Sequence, residues 1–132
     1  MILFDPSVWV DYWNRLDTPQ VQKLVNALDS GEALVCPTII QEVLQGIRDD
    51  RPFTTVQERL VLLPCLHLPP IEAAVAAANL YRMVRKKGVT IRKPNDCLIA
   101  YYAIQHGVEI CHHDRDFDLI AQHSRLKISP LQ

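Results

Sequence analysis

The sequence predicts a three-layer α/β domain built on a short, mostly parallel sheet, and three observations predict it. Runs such as Ile2-Leu3-Phe4 and Ala33-Leu34-Val35-Cys36 are apolar without alternation, as in strands covered on both faces. Segments with helical spacing separate these runs, so successive strands are joined by helical crossovers and run parallel. The first run also ends in a carboxylate, Asp5. In open α/β sheets ligands bind outside the carboxyl ends of the strands, so a site is expected at Asp5. The alternative for Asp5 is a solvated turn carboxylate that caps the next helix.

In order along the chain, Ser7 is a plausible N-cap for a helix over 7–15. Thr18-Pro19 opens a second helix, with proline at its first position. Val21, Leu24, Val25 and Leu28 form its apolar stripe, and Asp29-Ser30-Gly31 ends it. The run 33–36 is a second strand, stopped by Pro37. Thr38-Ile39-Ile40-Gln41 has capping-box spacing and starts a helix to Ile47. A polar break at 48–52 follows, then a helix over 53–63 and a third strand over 65–68. Pro69-Pro70 leads into an alanine-rich helix over 71–87, closed by Gly88. Residues 88–94 form a basic loop. Asn95 is expected to cap an apolar helix over 96–105, ending at His106-Gly107. A fourth strand covers 108–111, a loop 112–116 and a last helix 117–121, and 126–128 adds an edge strand.

The totals narrow the class. At 132 residues the chain is expected to form one domain, 1–132, large enough for a substantial core. A net charge of −1 does not mark a nucleic-acid binder, so any such role must rest on local charge. Cys36, Cys65, Cys97 and Cys111 lie far apart in apolar contexts, which reads as buried free thiols in a reducing compartment. The amino-terminal residues lack the basic flank and long apolar core of a signal peptide. No apolar run is long enough to span a membrane. A cytoplasmic location and no membrane partner are expected.

Carboxylates mark the positions where chemistry is expected. Asp5 follows the first strand, and Asp114 and Asp116 follow the last of the main strands. Asp96 opens a helix that is otherwise almost wholly apolar; a first-turn acid is also what the helix dipole favours. Glu42 projects off the apolar stripe of its helix, and periodicity alone makes it a solvated residue. Two unit charges 4 Å apart repel by about 4 kcal/mol at an effective dielectric of 20. Several carboxylates converging on one cleft would therefore need a divalent cation. All-oxygen ligands select Mg²⁺ or Mn²⁺ over Zn²⁺, and such sites orient a phosphodiester and activate water.

Basic residues form the complement. Arg82, Arg85, Lys86, Lys87, Arg92 and Lys93 fall in one stretch without an acid before Asp96. They can neutralise nucleic-acid phosphates without reading sequence, or else form a solvated helix end. His112 and His113 beside Asp114 lack a second ligand pair with zinc spacing. Ser7 has no identifiable histidine partner for a nucleophilic role. Trp9, Trp13, Tyr101 and Tyr102 read as core rather than base-stacking residues.

Four segments, taken together, resemble the successive motifs of PIN-domain ribonucleases. They are Ile2 through Tyr12, Glu42 within Ile40-Gln41-Glu42-Val43-Leu44-Gln45-Gly46, Arg92-Lys93-Pro94-Asn95-Asp96-Cys97-Leu98-Ile99-Ala100, and Asp114-Arg115-Asp116-Phe117-Asp118. The likeness spans essentially the whole chain and is nearest to the VapC-type toxins of toxin–antitoxin pairs. It implies a PIN-like α/β/α fold. It also implies Mg²⁺- or Mn²⁺-dependent endoribonuclease activity on RNA, a homodimer, and inhibition by a cognate VapB-type antitoxin. Asp5, Glu42, Asp96 and Asp114 would be the catalytic, metal-binding acids, with Asp116 an auxiliary metal carboxylate. The resemblance alone promotes Glu42 from surface residue to ligand. Two positions depart from the pattern. Pro6 stands where a small residue, often threonine, is usual, and His112 where a threonine commonly precedes the last acids by two positions.

Two other α/β readings fail on named residues. A response-regulator receiver would need an acidic pair after the first strand and an aspartate after the third, where Leu68-Pro69 stands. A dehalogenase-type phosphatase would need an aspartate at position 7, which is Ser7. A catalytically inactive module that binds RNA or a partner on the same scaffold is the remaining alternative.

Overall fold

Strand β1 (Ile2–Phe4) lies inside a four-stranded sheet, flanked by β2 (Ala33–Leu34) on one side and β3 (Glu109–Cys111) on the other. The computed structural model describes residues 1–131, and all strand pairs among them are parallel. Strand β4 (Lys127–Ile128) pairs with β3, giving the order β2-β1-β3-β4. Leu3 sits opposite both Leu34 and Ile110, and Phe4 opposite Cys111. Leu3, Phe4 and Ile110 are fully buried, as an unalternating apolar run requires when both sheet faces are covered. The chain leaves β1 toward β2 and returns later on the opposite side as β3. A switch of direction between adjacent parallel strands opens a crevice at their carboxyl ends, here just beyond Phe4 and Cys111.

Seven helices connect the strands among the described residues: α1 (Pro6–Trp13), α2 (Pro19–Ser30), α3 (Pro37–Gln45), α4 (Asp50–Leu60), α5 (Pro70–Lys86), α6 (Asn95–His106) and α7 (Arg115–Gln122). Helix α2 follows the expected chemistry. The Thr18 hydroxyl accepts the Val21 N–H at 3.1 Å, Pro19 opens the first turn, and Gly31 closes the helix at φ 74°. Trp9 is buried, with its ring stacked on Trp13 at 5.3 Å and edge-on to Phe4 at 6.4 Å, so it belongs to the core as expected. No helix among the described residues is long and apolar enough to cross a membrane.

Several local expectations are corrected. Residues 65–68 are not a strand; only Cys65 makes a single parallel bridge, to Val35. Around that bridge the Val35 N–H donates to Pro64 O at 3.0 Å and the Leu66 N–H to Val35 O at 2.8 Å. On the partner side Pro37, two residues on, has no N–H to extend the ladder and already opens α3. Helix α3 starts at Pro37, so Thr38 lies inside the first turn and is buried rather than capping. The break expected at 48–52 is already helical from Asp50, because Pro52 falls in the first turn, where its missing N–H has no partner to lose. Asp5, not Ser7, caps α1. Asn95 is the first residue of α6 rather than its cap. The loop expected at 112–116 ends early, since α7 begins at Arg115 with Asp114 as its cap.

Because β1 carries the crevice and is buried on both faces, truncating its centre tests the fold directly. Leu3→Ala should lower stability by about 2–5 kcal/mol, read as a fall in the urea midpoint with the far-UV spectrum of the native state unchanged.

Candidate metal centre

The carboxyl ends of β1 and β3 lead straight into helix starts, and each start holds an acid. Asp5 ends β1 and caps α1; its Oδ2 accepts the Ser7 N–H at 3.1 Å and the Ser7 hydroxyl at 2.5 Å. Asp114 follows β3 and caps α7 by accepting the Asp116 N–H at 3.0 Å, and Asp116 sits in the first turn of that helix. Asp96 lies in the first turn of α6. A helix N-terminus offers free N–H groups and a positive dipole end, which favours a carboxylate. Three such ends meet here.

Asp5, Asp96 and Asp116 are buried, with Asp96 only 2% exposed. Asp96, Asp114 and Asp116 each offer a carboxylate oxygen within 4.8 Å of the others. Asp5, Glu42 and Asp96 line an adjoining cleft of about 650 Å³, together with Arg92, Lys93 and Asn95. Of the five expected acids, the structure thus brings three into ligand distance of one another and places Asp5 and Glu42 on the cleft wall beside Asp96. Glu42 is half-buried, and its Oε1 accepts the Asn95 side-chain amide at 3.1 Å. Asn95 went unrecognised as a site residue because a Pro-Asn-Asp segment reads locally as a helix start.

Charge compensation is uneven. Arg92 bridges the outer pair, its guanidinium 3.2 Å from Asp114 and 3.5 Å from Asp116, while its backbone N–H donates to Asp116 at 3.1 Å. Expected as an RNA contact, Arg92 is also the counter-ion of two acids. Asp96 has no such partner: its Oδ2 is buried without a hydrogen bond among the described residues. Burial, then the neighbouring Asp5 and Asp114 charges, push its pKa up to about 8. Burial likewise raises Asp5, against the opposing effect of the Ser7 hydrogen bonds. An orphaned buried oxygen amid all-oxygen donors fits a hard divalent cation and fits zinc poorly.

A family model described as PIN domain matches residues 2–122. VapC ribonuclease Mb1587 of Mycobacterium bovis and ribonuclease VapC11 of Mycobacterium tuberculosis are each 38% identical over 130 residues, covering 96% of this chain and 96% of their own. This is a PIN-domain protein of the VapC family. The fold of this chain also matches the crystal structure of DNA-bound VapBC from Salmonella typhimurium, with TM-score 0.72 at 16% identity, covering 99% of this chain and 98% of that one. FitAcB from Neisseria gonorrhoeae gives 0.71 at 17%, with the same coverage. At such identities these structures establish the fold alone.

The two departures from the VapC pattern take definite places. Pro6 is the first residue of α1, where its fixed φ suits the helix and no N–H is needed. The His112 side chain is largely buried; its Nδ1 accepts the Asp114 N–H at 3.1 Å and its Nε2 lies 2.9 Å from Asp118 Oδ1. With Nδ1 accepting, the ring proton sits on Nε2 and points at that carboxylate. His112 therefore supplies a side-chain acceptor for the Asp114 backbone N–H and also packs against Phe117. Of the expected basic residues, Arg92 and Lys93 line the cleft, while Arg82, Arg85, Lys86 and Lys87 stand exposed toward the carboxyl end of α5.

The raised pKa of Asp96 has a defined consequence for stability. An acid with a higher pKa in the folded state costs nothing below its unfolded pKa, here 3.8, and costs most above its folded pKa of about 8. Metal-free Asp96→Asn should therefore melt above wild type at neutral pH. The difference should widen from about pH 4 to about pH 8 and be checked by thermal melts in chelator across that range.

Proposed function

We propose that this chain is the toxin of a type II toxin–antitoxin pair, an endoribonuclease that uses Mg²⁺ or Mn²⁺ and is held inactive by a VapB-type antitoxin. The observation that carries the reading is the convergence of Asp96, Asp114 and Asp116 within 4.8 Å, beside a cleft lined by Asp5 and Glu42. The names of the 38%-identical relatives, both VapC ribonucleases, support the activity. The VapBC complexes among the structural neighbours support the class of partner.

Asp5, Glu42, Asp96 and Asp114 are the catalytic acids of this reading, with Asp116 auxiliary, and together they would hold the cation. When bound, the cation activates water for attack on phosphorus and offsets charge on the phosphodiester. The protein's own groups do the rest. Ser7 fixes the Asp5 carboxylate toward the cleft, and Asn95 fixes Glu42 on the wall, where it can accept a proton. His112 sets the backbone that carries Asp114. Lys93 and Arg92, both exposed on the cleft rim, receive phosphate charge.

The whole chain acts as one domain in this reading, in the cytoplasm, where the free thiols of its four cysteines are stable. It works as a homodimer. Val61 and Leu62 after α4, with Ile71 and Val75 on α5, leave apolar side chains in water that subunit and antitoxin contacts would cover. Ile39 and Val43 of α3 are buried within the chain and take no part in such contacts.

Purified protein should cut single-stranded RNA with Mg²⁺ or Mn²⁺ and stop when the metal is chelated. Asp5→Asn and Asp96→Asn should each lower the rate by on the order of a hundredfold or more while the far-UV spectrum is retained. Wild-type rates in either variant, or cleavage indifferent to chelator, would contradict the assignment.

A further inference from the structure

The basic residues Arg85, Lys86 and Lys87 stand apart from the cleft, yet the chain runs from them through residues 88–91 to Arg92. A second groove lies along that path. It has a volume of about 510 Å³, and its walls include Gly88, Thr90, Arg92, Arg115, Asp116 and Leu119. Arg92 lines both this groove and the cleft, while Asp96 lines the cleft and Asp116 the groove. The acid cluster therefore opens to two sides, with Arg92 at the junction.

The two openings differ in charge. The cleft gathers Asp5, Asp11, Glu42 and Asp96 against Arg92 and Lys93. The groove presents Arg92 and Arg115 against one carboxylate, Asp116, which is buried and already engaged by Arg92. Arg115 is exposed and has no carboxylate within ion-pair distance among the described residues. It also occupies the first position of α7, where the helix dipole opposes a cation. Neither helix stability nor an ion pair accounts for a positive charge there. The exposed Thr90 hydroxyl adds a neutral hydrogen-bond donor, and Leu119 supplies an apolar wall.

We propose that this groove is a second substrate subsite, in which Arg115 and Thr90 hold a backbone phosphate of the RNA strand next to the one at the acid cluster. It rests on the ribonuclease reading above and adds to it the direction of the strand, from the cluster across the groove toward the end of α5. The volume falls within the range of about 300–1,000 Å³ typical of small-ligand sites. A phosphate suits the site because guanidinium and hydroxyl donors bind phosphate oxygens without regard to base.

The test uses the full-length chain with a labelled single-stranded RNA. Binding is measured against salt in the presence of chelator, and cleavage kinetics in Mn²⁺. The variants are Arg115→Ala, Arg115→Lys and Thr90→Ala, with Arg125→Ala as control because Arg125 is exposed near the start of β4, at the sheet end away from the site. Arg115→Ala should raise KM on the order of tenfold with little change in kcat. It should also reduce the slope of log affinity against log salt by about one, and Arg115→Lys should restore that slope. Thr90→Ala should raise KM and leave the slope alone, which a merely long-range charge effect would not produce. If Arg115→Ala matches Arg125→Ala in both KM and slope, the subsite is overturned. If wild type binds RNA but does not cut it, the ribonuclease reading fails, and the groove is then judged on the binding slopes of the same variants alone.

Discussion

Asp96 keeps a buried carboxyl oxygen without a hydrogen bond, with Asp114 and Asp116 within 4.8 Å and Asp5 close enough to raise its pKa. Repulsion among these groups is the constraint around which the carboxyl edge of the sheet is arranged. A pair of unit charges at such separations is worth about 4 kcal/mol at an effective dielectric of 20, a large share of a domain's stability. Each acid meets a compensating feature. Asp5 and Asp114 cap helices, Asp96 and Asp116 sit in first turns, and Arg92 spans the outer pair. Asp96 is left neutral at pH 7 by burial and its neighbours. The metal-free protein thus tolerates the cluster without satisfying it, and a cluster in that state could hold a cation.

The topology explains why these acids meet. Asp5 and Asp114 follow strands that pair in parallel, so the strand ends that lead into them lie side by side although more than a hundred residues separate them. Asp96 arrives from α6, which packs against α7 and α3. That last contact lets the Asn95 amide reach Glu42. Helix packing rather than local sequence therefore turns an off-stripe glutamate into a wall of the cleft.

That distinction also measures what the sequence made legible. The buried strand Ile2–Phe4 and its terminal acid were readable because a parallel strand covered on both faces writes an unbroken apolar run. The α2 boundaries were readable because Thr18, Pro19 and Gly31 each have local stereochemical reasons to stand where they do. Asp5 and Asp114 were recognised as acids after strands. Capping was offered for Asp5 as the alternative to a site, while for Asp114 a loop was the local reading and its capping role went unseen. Residues 65–68 looked like a strand by composition, yet only Cys65 pairs, in a single bridge to Val35. Glu42, Asn95 and the double pairing of Arg92 depend on contacts between distant segments. Periodicity carries no trace of these, and only resemblance to PIN-domain ribonucleases singled out Glu42.

Titration of the metal-free protein with Mn²⁺ in a calorimeter at pH 7, in buffers of different ionisation enthalpy, tests most directly whether the acids form one cation site. Ligand carboxylates must be deprotonated to bind metal, and Asp96 is protonated at that pH by virtue of a pKa of about 8. The expected result is saturable binding that releases about one proton per protein, with both binding and release greatly reduced in Asp96→Asn. Absence of saturable binding, or equal binding by wild type and Asp96→Asn, would show that these carboxylates do not act as a shared site.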